Sequence, residues 1–338
     1  MNLFLSLPGI VYKNDTDYSA EKKGVVVSWL KGEHPCSGFL VQKNLLVVRD
    51  KAPVARGIAF VNLLGHFGSI GFFECLEDRQ AVQLLVDGAR AFCKEKGVRV
   101  LFAPMNGSIW SSYRLRREGA CEERPFLGEP YNRPYYEGIL ASCGFTVAYT
   151  WESQFVKKAP LQGKDAARYN MLEGSKYAQS ITVRSLQNFD EDIRTIHKLA
   201  MNAFAGFYLF HEIDEATFVG LFAGLEPLCD KRTALIASNK EGQPIGFAIA
   251  LPDYQSKLGY LFRHAKRYVV GYMGTLQKDG KSIYPACATA LAVSLFKSLL
   301  TRGKGYVCAL MGEGAKSLTL SKDYESKRTY ALLKLEID

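Results

Sequence analysis

The chain has 338 residues, more than one hydrophobic core ordinarily serves, so two domains of common size are expected. Hydrophobic residues make up 48% and charged residues 23%, a globular balance that excludes a disordered chain. The net charge of +9 suits either a polyanionic partner (a nucleotide cofactor, an acidic carrier protein or RNA) or a soluble basic surface with no specific partner.

Residues 1–10 are apolar, but no basic residue precedes them and no small-residue cleavage site follows, and the run is too short to span a bilayer. The eight cysteines (Cys36, Cys75, Cys93, Cys121, Cys143, Cys229, Cys287 and Cys308) show no C-x-x-C spacing and no histidine at zinc-ligand distance. Several fall in apolar runs, as reduced core cysteines do, and free thiols point to a reducing compartment. The expectation is a cytoplasmic protein with no metal and no membrane partner.

Residues 45–49 read as a strand, 50–53 as a turn and 54–64 as the return strand. Residues 69–75 read as a buried strand. A helix over 79–96 follows, with Val82, Leu85, Ala89, Phe92 and Cys93 on one face, then Gly97 and a short strand over 98–103. Residues 157–178 are polar and aperiodic, and read as a linker. Beyond it come a strand over 181–184, a helix from Asp190 to about 205 and another over 214–225, with Asp190 and Asp214 as candidate N-caps. Residues 233–239 and 243–251 form a second hairpin about the turn 240–242. A strand over 268–276, a helix over 285–302 carrying Leu291, Leu295 and Leu299, and a strand over 306–310 complete the order.

Each half therefore reads hairpin, strand, helix, strand, an internal repeat. The strand–helix–strand unit implies a parallel pair with a right-handed crossover, and the adjoining hairpin makes each sheet mixed. The expected organisation is α/β with two domains, 1–156 and 179–338, joined by the linker 157–178.

Three segments resemble the GNAT acyltransferase superfamily, in particular an uncharacterised bacterial group with two such domains. They are Ile70-Gly71-Phe72-Phe73-Glu74, Phe102-Ala103-Pro104-Met105-Asn106-Gly107-Ser108, and Pro130-Tyr131-Asn132-Arg133-Pro134-Tyr135-Tyr136 leading to Cys143-Gly144-Phe145. The resemblance covers much of 39–152; the second half matches in its order of elements. It implies two GNAT-like domains, each a mixed, mostly antiparallel sheet flanked by helices.

In such a fold two neighbouring parallel strands splay apart. The bare edge of one takes a pantetheine arm as an added strand, and the loop after it passes the pyrophosphate to a helix N-terminus. The resemblance places that strand at Tyr272-Met273-Gly274-Thr275-Leu276 and the loop at 277–288. Met273, Gly274, Thr275, Leu276, Lys278, Gly280, Lys281, Ser282, Ala286 and Ala288 are the candidate coenzyme contacts. The Arg/Gln-x-x-Gly-x-Gly/Ala signature of the superfamily is absent from that loop. Glu313, just past a strand, is the candidate base, and residues 312–317 occupy the stretch where the fold opens its last helix. Tyr272, Tyr324 and Tyr330 stand in for the tyrosine that protonates the departing thiolate. In the first half the connection Glu77-Asp78-Arg79-Gln80 is short and acidic, so that copy is expected to have lost coenzyme binding. Tyr135 and Tyr136 are expected to pack.

The resulting expectation is an N-acyltransferase using acetyl-CoA or another acyl-CoA, or an acyl carrier protein, as donor and a small-molecule amine as acceptor. Two other readings stay open: an aminoacyl-tRNA-dependent transferase of the Fem type, and a non-catalytic metabolite-binding protein on a GNAT scaffold.

Overall fold

The computed structural model describes residues 1–119, 121–157, 174, 180–255, 257–301, 304–315 and 324–337. The expected linker lies outside the described residues except for 157 and 174. The chain divides into two compact units. Unit 1 comprises Met1–Pro125, Glu129–Trp151 and Arg328–Asp338, and unit 2 comprises Phe126–Gly128 and Glu152–Lys327.

In chain order, α1 (Asn2–Val11) and α2 (Lys23–Lys31) precede the hairpin β1 (Leu40–Arg49) and β2 (Ala52–Asn62). Asp50 and Lys51 sit at φ 49° and 67°, the left-handed pair that a tight two-residue hairpin turn requires. β3 (Phe67–Cys75) leads into α3 (Arg79–Glu95), whose first turn is capped by the Asp78 side chain accepting the Ala81 N–H. β4 (Val100–Ala103), β5 (Leu115–Arg116), α4 (Tyr136–Ser142) and β6 (Thr146–Val156) follow.

After β7 (Thr182–Ser185), α5 spans Phe189–Ala203 and α6 Glu215–Phe222. Asp214 caps α6 through the Thr217 N–H, as expected. For α5 the expectation is corrected: Asn188, not Asp190, is the cap, accepting the Asp190 N–H, and Asp190 lies inside the first turn. β8 (Ala234–Ser238), β9 (Pro244–Asp253), the short α7 (Lys257–Leu261), β10 (Arg267–Thr275), β11 (Gln277–Lys278), β12 (Lys281–Ser282), α8 (Pro285–Thr301), β13 (Gly305–Gly312) and β14 (Ser326–Glu336) complete the chain. Among the described residues no helix is long and apolar enough to cross a membrane.

In unit 1 the strands run β1-β2-β3-β4-β14. β1 to β3 are antiparallel neighbours, β4 is parallel to β3, and β14 closes antiparallel to β4 with Leu333 opposite Ala103. The buried Arg328 guanidinium bonds the Glu129 carboxylate at 2.7 Å, tying the last strand into this unit. The core lies between the sheet and α3, where Val82, Leu85, Ala89 and Cys93 are buried at helical spacing.

Unit 2 repeats the order. β7-β8-β9-β10 are antiparallel neighbours, β13 is parallel to β10, and β6 lies beside β13. Cys287, Leu291, Leu295 and Leu299 of α8 fall every fourth residue and are all buried against this sheet. Both units are mixed α/β sheets flanked by helices, joined internally by a strand–helix–strand crossover.

Candidate functional site

In unit 2 the parallel pairing of β10 with β13 is short. It joins Arg267 to Gly305, Tyr268 to Tyr306, Val269 to Val307 and Val270 to Cys308, and stops there. β10 itself continues, paired with β9 as far as Thr275 opposite Gly246. An antiparallel strand directs alternate N–H and C=O groups to each side. Over residues 271–275 one side faces β9, and the other faces the space that β13 has left.

Two local features produce the divergence. The β9–β10 register slips between Val270 and Tyr272, so Gly271 is a bulge that bends β10. On β13, Leu310 sits at φ 57°, a conformation that redirects a strand, and its N–H donates to the Ser153 Oγ at 3.0 Å. β13 is thereby drawn toward β6 just beyond its last pair with β10.

Of the predicted coenzyme contacts, Met273 is half-buried and Gly274 and Thr275 are buried. A Cβ on Gly274 would come within 2.8 Å of both the Ala203 Cβ and the Phe247 ring, so only glycine fits. Thr275 Oγ1 bonds Ser282 Oγ at 3.2 Å, and the Leu276 N–H donates to the Ile245 carbonyl at 2.9 Å. The predicted loop takes another form. Residues 277–282 make a hairpin, β11 against β12, about Asp279 (φ 51°) and Gly280 (φ 70°), with Lys278 opposite Lys281. Asn202 clamps its base, its Oδ1 accepting the Gln277 N–H at 2.7 Å and its Nδ2 donating to the Gln277 carbonyl at 3.1 Å. Lys278 and Lys281 are exposed; Ala286 and Ala288 lie in the first turn of α8, which Pro285 opens and where the Cys287 N–H already donates to the Tyr284 carbonyl at 2.9 Å.

Tyr272 is 38% exposed on the open edge of β10, its ring edge-on to Phe222 of α6 at 6.0 Å. Glu313 is exposed, one residue past β13. Because β10 and β13 are parallel, their C-terminal ends lie at the same end of the sheet, and Glu313 and the open edge share it. Residues 312–315 form a turn, and 316–323 of the expected helix lie outside the described residues. Tyr324 precedes β14 and is 37% exposed; Tyr330 is fully buried within unit 1, bonded to Glu129, and is not an exposed acid. Within α6, Phe218 packs against Phe222 at 4.5 Å, and in the segment after α5 Phe204 stacks on Phe207 at 4.8 Å.

The corresponding edge in unit 1 is occupied. β3 pairs with β4 at Gly68–Leu101 and Ser69–Phe102, and the chain leaving β4 continues along β3 in the same direction. The Met105 N–H donates to the Ile70 carbonyl at 2.8 Å, and Asn106 Oδ1 accepts the Phe72 N–H at 2.8 Å. A Cβ on Gly71 would meet Asn106 at 2.6 Å. Further along, the Cys75 N–H donates to the Tyr136 hydroxyl at 3.1 Å, and the Tyr135 hydroxyl donates to the Cys75 carbonyl at 2.8 Å.

Beside this edge stands a pair that sequence reasoning missed: Tyr136 donates to the Glu74 carboxylate at 2.6 Å. Burial raises the Glu74 carboxyl to about 7, against the opposing pull of the Tyr136 bond and the Arg56 charge. Sixty-two residues separate the two, so no local spacing announces them. Among the described residues no three His, Cys, Asp or Glu side chains gather in a way that would hold a metal ion.

Solved structures share this architecture. A tandem GNAT protein from the clavulanic acid biosynthesis pathway superposes with a TM-score of 0.58 over 99% of this chain and 95% of its own, at 10% identity. The fold of this chain is that of the GNAT acyltransferases. A GCN5-related N-acetyltransferase from Sphaerobacter thermophilus gives 0.55 over 99% and 92%, at 14% identity. A conserved protein from Enterococcus faecalis V583, described as a probable N-acyltransferase, gives 0.56 over 100% and 70%, at 10% identity. No family model and no curated protein sequence matches the chain.

Proposed function

We propose that the chain transfers an acyl group from a thioester to an amine at the open edge of β10 in unit 2. The observation that carries this reading is the end of β10–β13 pairing at Val270, five residues before β10 ends. An amide-bearing arm laid along residues 271–275 would add as a strand, and its backbone bonds would hold the thioester carbonyl against main-chain N–H donors. The amine attacks that carbonyl, its proton leaves to Glu313 directly or through water, and the collapsing intermediate expels the thiolate, which takes a proton from Tyr272. No covalent enzyme intermediate is needed.

The donor's phosphates would lie toward the hairpin. Lys278 and Lys281 stand side by side there, and the first turn of α8 follows. Lys278 pairs with Lys281 across the hairpin and the main chain of Gln277 is bonded by Asn202, so a pyrophosphate would find two lysines and a helix end rather than a loop of open amides. That arrangement favours a donor with a single phosphodiester, as on the phosphopantetheine of an acyl carrier protein, over free coenzyme A. The surplus of 43 Lys and Arg over 34 Asp and Glu suits an acidic carrier. Unit 1, its edge occupied by Met105 and Asn106, serves as scaffold in this reading.

Isothermal titration with acetyl-CoA, longer acyl-CoAs and an acylated carrier protein tests it. Binding of an acyl thioester, tightest for the carrier, is expected. Absence of binding by every thioester would remove the proposal.

A further inference from the structure

The buried arginines of unit 1 are Arg56, Arg114 and Arg328. Two of them have a carboxylate. Arg328 is bonded to Glu129 at 2.7 Å, and Arg56 lies 3.6 Å from Glu21 while donating to the Phe4 carbonyl at 2.9 Å. Arg114, at 9% exposure, has none among the described residues, and its Nε and Nη1 are buried with no acceptor.

Its surroundings are aromatic. The guanidinium carbon sits 3.9 Å from the Tyr113 ring centroid and 4.6 Å from that of Trp151. Ring faces attract the cation, but they supply no lone pairs to the N–H donors of the guanidinium fork. The backbone is committed as well: Arg114 is held at φ 75°, with its N–H donating to the Pro104 carbonyl at 2.9 Å. A non-glycine residue kept in that region is over-determined by its surroundings, and such positions cluster at ligand sites. A buried cation is stable when an anion meets it, and here the chain supplies none among the described residues.

We propose that Arg114, walled by Tyr113 and Trp151, is a binding site for a small oxyanion, a carboxylate or a phosphate. Both chemistries match the planar two-donor edge of a guanidinium. The site belongs to unit 1 and is independent of the thioester reading for unit 2.

The test uses the full chain at constant ionic strength, with chloride replaced stepwise by acetate, succinate or inorganic phosphate. Tryptophan fluorescence and the thermal midpoint are read together. The expected result is a saturable fluorescence change and a rising midpoint for at least one of the three, the favoured anion telling carboxylate from phosphate. Trp151→Phe should remove the fluorescence change and keep the midpoint shift. Arg114→Met should abolish both, and Arg114→Lys should weaken binding by at least about tenfold, because an ammonium lacks the fork. If Arg114→Met fails to fold, the wild-type midpoint and Arg114→Lys carry the decision. A response indistinguishable from chloride for all three anions, or one unchanged in Arg114→Lys and Arg114→Met, overturns the proposal.

Discussion

Asn106 and Phe72 are joined by a hydrogen bond of 2.8 Å from the Phe72 amide to the Asn106 side-chain oxygen, and this bond closes in unit 1 the edge that unit 2 leaves open. The same order of elements thus ends in two different strand edges. The difference lies in the residues at the end of each parallel strand. Met105 and Asn106 stay bonded to β3, whereas β13 is turned aside at Leu310.

Asn106→Ala should leave the buried Phe72 N–H without its acceptor, costing about 1–3 kcal/mol. Denaturant unfolding at unchanged slope should report the loss as a lower midpoint. Thioester affinity should stay as in the unaltered chain, since that site is assigned to unit 2.

Gly274→Val should be costly twice. Its side chain would overlap Ala203 and Phe247, for a loss of about 1–3 kcal/mol, and the displaced strand should bind thioesters poorly. Gly271→Ala is the comparison: its nearest neighbour is 4.0 Å away and its φ is ordinary, so stability should be retained. Equal thermal midpoints for the two variants would contradict the packing described at Gly274.

Glu74 gives stability a definite pH dependence. Its carboxyl is raised from 4.5 to about 7 by burial, so between those values the folded chain holds a proton that the unfolded chain has released. Stability from this group is fully present below about 4.5 and is lost as pH rises through about 7, amounting to at most about 3 kcal/mol. Glu74→Gln keeps an acceptor for Tyr136 but does not ionise. Its penalty should therefore be larger at pH 5.5 than at pH 8. A penalty that grows with pH would show that Glu74 is ionised in the folded chain.

Glu313→Gln should lower kcat by about a hundredfold or more, with thioester affinity unchanged, if its carboxylate takes the amine proton. Tyr272→Phe should lower kcat without altering the pH profile's acidic limb. A wild-type kcat in Glu313→Gln would assign proton removal to water alone.

Much of the fold is legible in the sequence because its helices carry regular faces. Val82, Leu85 and Ala89 in α3, and Leu291, Leu295 and Leu299 in α8, are buried as their spacing requires. α2 is not legible: its run of Val25, Val26 and Val27 favours a strand, and helix forms because Val26 and Trp29 pack inward. β1 begins at Leu40, five residues before the predicted start, because Gln42, Lys43 and Asn44 break the apolar pattern.

In the candidate site, the strand over 267–275 is readable from its composition. The hairpin after it is encoded in Asp279-Gly280, a two-residue turn signal whose small residue equally suits a phosphate loop. The Glu74–Tyr136 pair and the Asn106–Phe72 bond join residues far apart in sequence, and the missing partner of Arg114 is a property of packing. None of these has a local pattern to read.

Amide hydrogen exchange with and without an acyl thioester, on acyl carrier protein or coenzyme A, tests the open edge most directly. The account predicts slowed exchange at residues 271–275 on β10 when the thioester is present, with residues 70–75 on β3 unchanged. Exchange on β10 that is indifferent to every thioester, or protection that appears on β3 instead, would contradict it.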